Sequence, residues 1–152
     1  MATLWAKTVT FDSIQEGDEF PILVKHESQE TINLYAKLAP AGPREGWHNL
    51  HTDEKYATEG LFTGTVNMGV ATLAYVAELM EKAFPIKNLL AKGSKLEMRA
   101  TQPVRAGDTV TFTGQITAKR VENGQHFVDC EITGTNQDNQ VVVRAKASIF
   151  FG

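Results

Sequence analysis

The chain has 152 residues, a net charge of −3, and ordinary proportions of hydrophobic (42%) and charged (22%) side chains. This length predicts a single domain over residues 1–152, which can bury enough surface to fold without disulfides or a structural metal. The mild acidity argues against nucleic acid as a partner, because the positive residues are scattered and form no basic patch that could neutralise phosphates.

No segment of the sequence has the character of a membrane span or a secretion signal. The longest uncharged apolar stretch covers residues 61–77 and is interrupted by Thr, Asn and Gly, so it is too short and too polar to cross a bilayer. The N-terminal "MATLWAKTVTF" lacks the charged and apolar regions of a signal peptide. We therefore expect a cytoplasmic protein with no membrane partner.

The only cysteine, Cys130, lies in "HFVDCEITG". An intramolecular disulfide and a cysteine-based zinc site are therefore excluded. No neighbouring cation in the sequence would lower the pKa of the thiol, so a small buried side chain in a strand is the expected role.

Two short helices are predicted in the first half. The stretch "SQETINLYAKLAPAG" begins with Ser28 as a capping residue and places apolar residues at helical spacing until Pro40 and Gly42 end it. The Pro- and Gly-rich "PAGPREGW" predicts a loop. "TDEKYATEG" then predicts a short helix with Thr52 as N-cap and Gly60 as its stop.

A longer helix is predicted over residues 65–84. Its charged residues, Glu78, Glu81 and Lys82, lie only near the C-terminal end. A helix that is apolar nearly all round is typical of a buried position. In a small domain, such a helix needs another layer of structure around it.

The second half supplies that layer as strands, because apolar and polar residues alternate there with a period of two. Further strands are expected around residues 92–99 and near residues 7–10. "VENGQ", with a type I′ signal at Asn123 and Gly124, and "NQDNQ" predict tight antiparallel turns. The inward-facing residues are expected to be Val110, Phe112, Ile116 and Ala118, then Val128, Cys130 and Ile132, and finally Val141, Val143, Ala145, Ala147, Ile149 and Phe151. An antiparallel sheet wrapped around one long central helix is the hotdog fold, an α+β architecture, which is therefore the predicted fold class.

The stretch "GWHNLHTD" places two histidines, His48 and His51, shortly before the central helix. With Asp53 they could form a facial metal site, they could act as an acid/base pair, or they could simply cap and cross-link a loop. No second cluster of ligands supports a metal, and none is expected. A dense set of polar residues, including Asn49 and a buried Asn67 in the helix's first turns, favours a polar cavity at the helix N-terminus.

The segment "HTDEKYATEGLFTGTVNMG" resembles the hydratase motif of MaoC-like (R)-specific enoyl-CoA hydratases and dehydratases. That motif runs His-x-Asp, an Ala, a Gly-Phe pair and a helix opening Ile-Ala-His-Gly-Met. The matching positions are His51, Asp53, Ala57, Gly60 with Phe62, and Val66, Asn67, Met68, Gly69 and Val70. "PVRAGDTVTFTGQI" and the C-terminal "GTNQDNQVVVRAKASIF" are similar to the family's strand-opening segment and closing hairpin, so the resemblance covers nearly the whole chain.

The resemblance implies reversible hydration of a 2-enoyl thioester, whose reverse direction is the dehydratase reaction of fatty acid metabolism. The substrate would be an acyl-CoA or an acyl-carrier thioester, and no cofactor is expected. In the family an Asp–His dyad handles the water and protons. His51 matches the family's histidine, and an imidazole exchanges protons readily near neutral pH. Gly69 matches the glycine whose N–H, at the positive end of a helix, holds the thioester oxygen as enolate charge develops there.

The chain departs from the family pattern at the acid. The family's aspartate lies five residues before the histidine, where this chain has Gly46, and the helix-opening histidine is Met68. Three alternatives remain open. Glu45 takes the place of the acid; His48 serves as second base while Asn49 fixes the water; or the chain is a non-catalytic or partly catalytic acyl-thioester-binding subunit whose MaoC-like partner carries the dyad.

The residues expected to contact substrate are Trp47, as a lid, with Asn49, Phe62, Asn67 and Met68. Asp53 is expected to act as a helix N-terminal charge, and Arg105 as a turn residue on the surface. Because a lone hotdog leaves a sheet edge exposed, a homodimer or higher oligomer is expected, with the active sites at or near the subunit contact.

Overall fold

The computed structural model describes residues 1–38, 46 and 48–152. The elements are β1 (Leu23–His26), α1 (Gln29–Leu38), α2 (Glu54–Glu59), α3 (Gly69–Ala83), α4 (Ile86–Leu89), β2 (Lys95–Ala100), β3 (Thr109–Glu122), β4 (Gln125–Thr135) and β5 (Val141–Phe150). The predicted hotdog fold is confirmed, since one antiparallel sheet packs against the long helix α3. The short helix α4 has no counterpart in the sequence prediction.

The five strands lie in the order β1-β3-β4-β5-β2, and every neighbouring pair is antiparallel. The hairpin between β3 and β4 turns at Asn123 (φ 53°) and Gly124 (φ 77°). Positive φ at both central residues is what a type I′ turn requires, so the turn prediction is confirmed.

The core lies between α3 and the inner face of the sheet. Burying each large apolar side chain contributes about 1.5–3 kcal/mol, which makes this layer the main source of stability. The fully or nearly fully buried residues include Val76, Leu79, Met80 and Ala83 from α3 and Val110, Phe112, Ile116, Val128, Cys130, Ile132, Val143, Ala145, Ala147 and Ile149 from the sheet. Most residues predicted to face inward are therefore buried, but Ala118, Val141 and Phe151 are only partly buried. Ala118 follows a register shift after Ile116 in β3, and the buried residue at the start of β5 is Val142, which breaks the alternation.

The start of α3 differs from the prediction. The helix begins at Gly69 rather than at residue 65, because Met68 has an extended backbone (φ −69°, ψ 131°). The side-chain oxygen of Asn67 accepts the Met68 N–H at 2.9 Å, a local bond that replaces a helical one. One side of α3 is also uncovered: Val70 and Leu73 are 57% and 37% exposed.

Two other local predictions were wrong. Residues 6–8 form a turn rather than a strand, with the N–H groups of Thr8 and Val9 bonded to the carbonyl of Trp5, and the edge of the sheet is β1 instead. The N-cap of α2 is Asp53, because its carboxylate accepts the Tyr56 N–H at 3.0 Å.

The other capping prediction is confirmed. Ser28 Oγ accepts the N–H of Thr31 at 3.1 Å, and Thr31 Oγ1 accepts the N–H of Ser28 at 3.0 Å. Within the described ranges, none of the helices has the length and apolar character needed to cross a membrane.

Candidate active site

Two short segments meet in front of α3 and form the wall of the site. In the first, Asn49 Oδ1 accepts the backbone N–H groups of His51 at 2.9 Å and Thr52 at 3.0 Å, which closes a tight polar turn. The second segment leads into α3, and its Val66 N–H donates to the carbonyl of Leu50 at 3.2 Å. The turn that carries His51 is thereby joined to the backbone that starts the helix.

The ring of His51 is held in one orientation. Its Nδ1 lies 2.8 Å from the carbonyl oxygen of Val66, and the side chain is partly buried. A carbonyl oxygen only accepts hydrogen bonds, so Nδ1 carries the proton. In the neutral ring Nε2 is then the free lone pair, which is the state a general base needs.

Gly69 is the first residue of α3 and presents its N–H at the positive end of the helix. The first N–H groups of a helix have no partner within it. No hydrogen bond between described residues occupies the Gly69 N–H. It is therefore available to an oxygen of a bound molecule.

His51 and Gly69 line two adjoining cavities, of about 340 Å³ and about 490 Å³. The walls of the first are mostly apolar: Leu50, His51, Phe62, Val66, Asn67, Gly69, Thr72, Ala100, Thr101, Gln102, Pro103, Val104, Val142 and Val143. The second, more open cavity is lined by His51, Met68, Gly69, Val70, Leu73, Leu96 and Met98. The imidazole and the helix N–H thus lie at the boundary between an apolar cavity and a surface cleft.

The sequence of the chain matches the model of the MaoC-like domain over residues 13–137. The chain belongs to the MaoC-like domain family. A curated relative, the (R)-specific enoyl-CoA hydratase of Rhodospirillum rubrum, is 27% identical over 91% of this chain and 89% of its own length.

Two solved structures show the same fold at lower sequence identity. The MaoC-like dehydratase from Rhodospirillum rubrum superposes with a TM-score of 0.75 and 23% identity, covering 94% of this chain and 96% of its own. The HadBC (3R-hydroxyacyl-ACP dehydratase) complex from Mycobacterium tuberculosis gives a TM-score of 0.64 and 15% identity, covering 91% of this chain and 98% of the matched chain. The chain therefore has the fold of both of these proteins.

In this MaoC-like chain His48 is engaged away from His51. Its Nδ1 forms a hydrogen bond with the Asp53 carboxylate, and its ring stacks on Tyr56 with the centroids 5.9 Å apart. The hydrogen bond from His48 lowers the pKa of Asp53, and the Tyr56 N–H lowers it further. Asp53 thus combines the helix-cap role expected of it with a hydrogen bond to His48, whose side chain is 65% exposed.

The other residues expected at the site have different positions. Phe62 and Asn67 line the apolar cavity, and Met68 lines the cleft beside it. Asn49 contributes to the turn under His51, with its amide nitrogen 2.8 Å from Thr52 Oγ1. Glu45 and Trp47 lie outside the described residues.

Gly46, where the sequence resemblance places the family's aspartate, has φ +77°. Residues with a side chain adopt this left-handed region at a cost, which Asp and Asn bear better than most. The position is therefore occupied by the residue type best suited to its backbone, and an acid placed there would be mildly strained.

Sequence reasoning missed the residues that support the site from behind. Gln29 Nε2 donates to the His51 carbonyl at 2.9 Å, and Gln29 Oε1 accepts the Thr65 hydroxyl at 2.7 Å. Gln29 thereby connects α1 to both segments of the wall. Its one signal was its position directly after a helix cap, which says nothing about distant contacts.

Glu27 was missed as well, although it is buried with only 5% of its surface exposed. Its carboxylate accepts hydrogen bonds from the Thr31 hydroxyl, from Asn67 Nδ2 at 2.9 Å and from the Tyr75 hydroxyl at 3.0 Å. Burial, followed by the negative charge of Glu27, raises the pKa of Tyr75 to about 12, so the hydroxyl remains a donor at neutral pH.

Two further residues singled out in the sequence have structural roles. Cys130 is 1% exposed, and burial raises the pKa of its thiol to about 12, so it is an inert core residue as expected. Arg105 is not a simple surface residue, because its guanidinium donates to the carbonyls of Phe62 and Thr65 and holds the loop before α3. Among the described residues, no three His, Cys, Asp or Glu side chains are grouped so that they could hold a metal ion.

Proposed function

We propose that the chain catalyses the reversible addition of water to a 2-enoyl thioester of coenzyme A or of an acyl carrier protein, which yields the 3-hydroxyacyl thioester. The observation that carries this proposal is that His51 and Gly69 line the same apolar cavity. An imidazole base, a free helix N–H and an apolar chamber are three parts that this chemistry uses. The similarity to an (R)-specific enoyl-CoA hydratase supports the same reaction.

In the hydration direction, His51 Nε2 takes a proton from water while the water oxygen bonds to the β-carbon of the substrate. The electrons of the double bond move onto the thioester oxygen, and the Gly69 N–H stabilises the resulting enolate at the positive end of α3. The proton held on His51 Nε2 is then delivered to the α-carbon as the carbonyl re-forms, which returns His51 to its neutral state. The sum is substrate plus water with no change of redox state, so we propose that no cofactor takes part.

The cavity walls favour an acyl chain as the group bound next to His51. Most of the lining side chains are aliphatic or aromatic, with Phe62, Val66 and Val104 among them. Burial of apolar surface favours such binding by about 25 cal/mol per Å². The more open cleft beyond Gly69 would then receive the thiol-bearing arm of the carrier.

A hydration assay tests the proposal directly. Purified protein is mixed with 2-enoyl-CoA substrates of increasing chain length, and the loss of the conjugated enoyl absorbance is followed. We expect turnover and an (R)-3-hydroxyacyl product by chiral analysis. If no substrate is hydrated, alone or after transfer of the acyl group to a carrier protein, the proposal is wrong.

A second copy is proposed as a partner. β2 is an edge strand, and its Leu96 and Met98 lie beside the exposed Val70 and Leu73 of α3. These side chains form an uncovered apolar surface that continues an unpaired sheet edge, a combination that soluble proteins usually bury. Light scattering after size-exclusion chromatography should give twice the monomer mass for wild type. The Leu73→Glu variant should give a lower mass, closer to that of the monomer.

One observation favours the alternative function of a subunit without full activity. Gly46 carries no acid where the family pattern has one, and HadBC shows that related chains occur in hetero-complexes. On this alternative, the chain alone binds an acyl thioester but does not hydrate it. Gly46→Asp distinguishes the two, because it should raise turnover from near zero in a subunit lacking its acid, and should change little in a chain that is already active.

A further inference from the structure

Three of the four buried polar residues in the described part of the chain form one cluster behind the site. They are Glu27, Asn67 and Thr72, with 5%, 8% and 4% of their surfaces exposed. Asn67 Nδ2 donates to Glu27 Oε2 at 2.9 Å and to Thr72 Oγ1 at 3.4 Å. A carboxylate loses much of its hydration when it is buried, so it needs such donors to remain in place.

The carboxylate decides which way the Asn67 amide faces. Ionised, it only accepts hydrogen bonds, so it must receive the NH₂ group of Asn67. The amide oxygen is therefore left for the Met68 N–H, which it accepts at 2.9 Å. The extended conformation of Met68, which makes α3 begin at Gly69, thus depends on Glu27.

The peptide groups on both sides of Asn67 belong to the site. The preceding peptide has its carbonyl, that of Val66, bonded to His51 Nδ1 at 2.8 Å, and its N–H donates to Val104 at 2.7 Å. The following peptide leads through Met68 to the Gly69 N–H. A change in the backbone angles of Asn67 would consequently move two groups together: the Val66 carbonyl that His51 Nδ1 contacts, and the Gly69 N–H at the start of α3.

Glu27 is itself firmly placed. Its backbone N–H donates to Asp108 at 2.8 Å and its carbonyl accepts from Gly107 at 2.9 Å, while its side chain also receives the hydroxyls of Thr31 and Tyr75. The donors come from α1 and from the second turn of α3. Glu27 therefore connects the end of β1 to both helices that flank the site.

We infer that Glu27 is a positioning residue for the hydration reaction: through Asn67 its carboxylate sets the orientation of the His51 ring and of the Gly69 N–H. This inference rests on the proposed function for its effect on turnover. The geometric part, the coupling of Glu27 to the His51 tautomer, can be measured without any substrate.

The variants are Glu27→Gln, Asn67→Ser, Asn67→Ala and the double variant Glu27→Gln with Asn67→Ala. Gln keeps the size of the Glu27 side chain, but it presents a hydrogen-bond donor as well as an acceptor to the side-chain amide of Asn67. Asp18→Asn is the matched control, because Asp18 is also a buried carboxylate (4% exposed) but accepts the backbone N–H groups of Ala2 and Gln15. Circular dichroism and thermal melting establish that each variant is folded.

Turnover gives the first readout. Glu27→Gln and Asn67→Ser should each lower kcat about tenfold or more with a smaller change in KM, since misplaced catalytic groups impair the reaction more than binding. Glu27→Gln should add nothing to the loss caused by Asn67→Ala, because it acts through that residue. Asp18→Asn should keep kcat within twofold of wild type, whatever it does to the melting temperature.

The imidazole ¹⁵N spectrum gives the second readout. Wild type should show His51 protonated at Nδ1, and both Glu27→Gln and Asn67→Ser should shift this tautomer towards Nε2, while Asp18→Asn should not. If wild type hydrates no enoyl thioester, the proposed function fails. The ¹⁵N spectrum by itself still tests whether Glu27 controls the tautomer of His51.

The inference is overturned if Glu27→Gln retains both the kcat and the His51 tautomer of wild type, or if its loss of kcat is fully additive with that of Asn67→Ala. If Glu27→Gln does not fold, Asn67→Ser decides. Wild-type turnover and an unchanged tautomer in that variant would contradict the role of the Glu27–Asn67 bond.

Discussion

The Nδ1 atom of His51 lies 2.8 Å from the carbonyl oxygen of Val66, and this single contact determines the protonation pattern of the ring. Because the carbonyl can only accept, the neutral imidazole must keep its lone pair on Nε2. Val66 also precedes the segment that opens α3, so the base and the helix N–H of Gly69 are positioned by one stretch of backbone.

Replacing His51 by Ala should lower kcat/KM for enoyl-CoA hydration about 10²- to 10⁴-fold, since the general base is lost. Loss of the hydrogen bond to Val66 should also reduce the free energy of unfolding by about 1 kcal/mol. Steady-state kinetics and denaturant titration measure the two effects. His126→Ala is the control, because the ring of His126 also bonds a carbonyl, that of Gly152 at 3.0 Å, on the far hairpin; equal loss of activity in both variants would contradict a chemical role for His51.

Replacing Gly69 by Pro removes the proposed oxyanion donor with little expected harm to the fold. Proline is favoured at the first position of a helix, and the preceding Met68 already has the extended backbone that a residue before proline prefers. We expect kcat to fall about 10²- to 10³-fold, the effect of losing one oxyanion donor.

Gly69→Ala is the matched variant, because it keeps the N–H and a Cβ at this position meets no atom within 4 Å. It should fold normally and retain far more activity than the Pro variant. If both variants lose activity equally, the N–H of Gly69 is not the group that matters.

The contact between His48 and Asp53 should make the stability of the protein depend on pH in the acid range. Since the pKa of Asp53 in the folded protein lies below its usual value, its contribution to stability is present above the pKa of the unfolded chain and is lost as pH falls through the folded pKa. His48→Gln should raise the pKa of Asp53 towards the ordinary value, as measured by carboxyl NMR titration.

The same variant tests whether His48 acts as a second base. A ring that only pairs with Asp53 predicts kcat close to that of wild type in His48→Gln. A loss comparable to that of His51→Ala would instead place His48 in the reaction.

The hydroxyl of Tyr75 should make stability sensitive to alkaline pH. Its pKa is raised from 10.0 to about 12, so the contribution of the protonated form is complete below pH 10 and is lost as pH rises towards 12. The difference in unfolding free energy between wild type and Tyr75→Phe should therefore shrink over this interval. Tyr56→Phe, which changes a 51% exposed side chain, is the control for loss of a tyrosine hydroxyl.

The sequence anticipated the sheet well because alternation reports a local property. Val110, Phe112 and Ile116 are buried as their period of two required, and the Asn123–Gly124 turn has the expected backbone. The predicted start of α3 was four residues early, since an apolar run cannot show that the Asn67 side chain satisfies the Met68 N–H in place of the helix.

The site was predictable only in part for the same reason. His51 and Gly69 were found through a motif in which the glycine lies 18 positions after the histidine. Glu27 lies 24 residues before His51 in an ordinary polar stretch, and nothing near it in the sequence shows that it is buried. His48 remained one of three alternatives in the sequence, and only the structure pairs its ring with Asp53.

By itself, the sequence determined which residue types were available: a hydratase-like histidine, a helix-opening glycine, and no acid at position 46. Only the tertiary structure decided how they are held, with the His51 ring bonded to Val66 and a buried Glu27 fixing the amide of Asn67. The physical reason is that periodicity and turn chemistry act between near neighbours along the chain. The protonation of a ring and the burial of a charge depend instead on atoms that the fold brings together from distant segments.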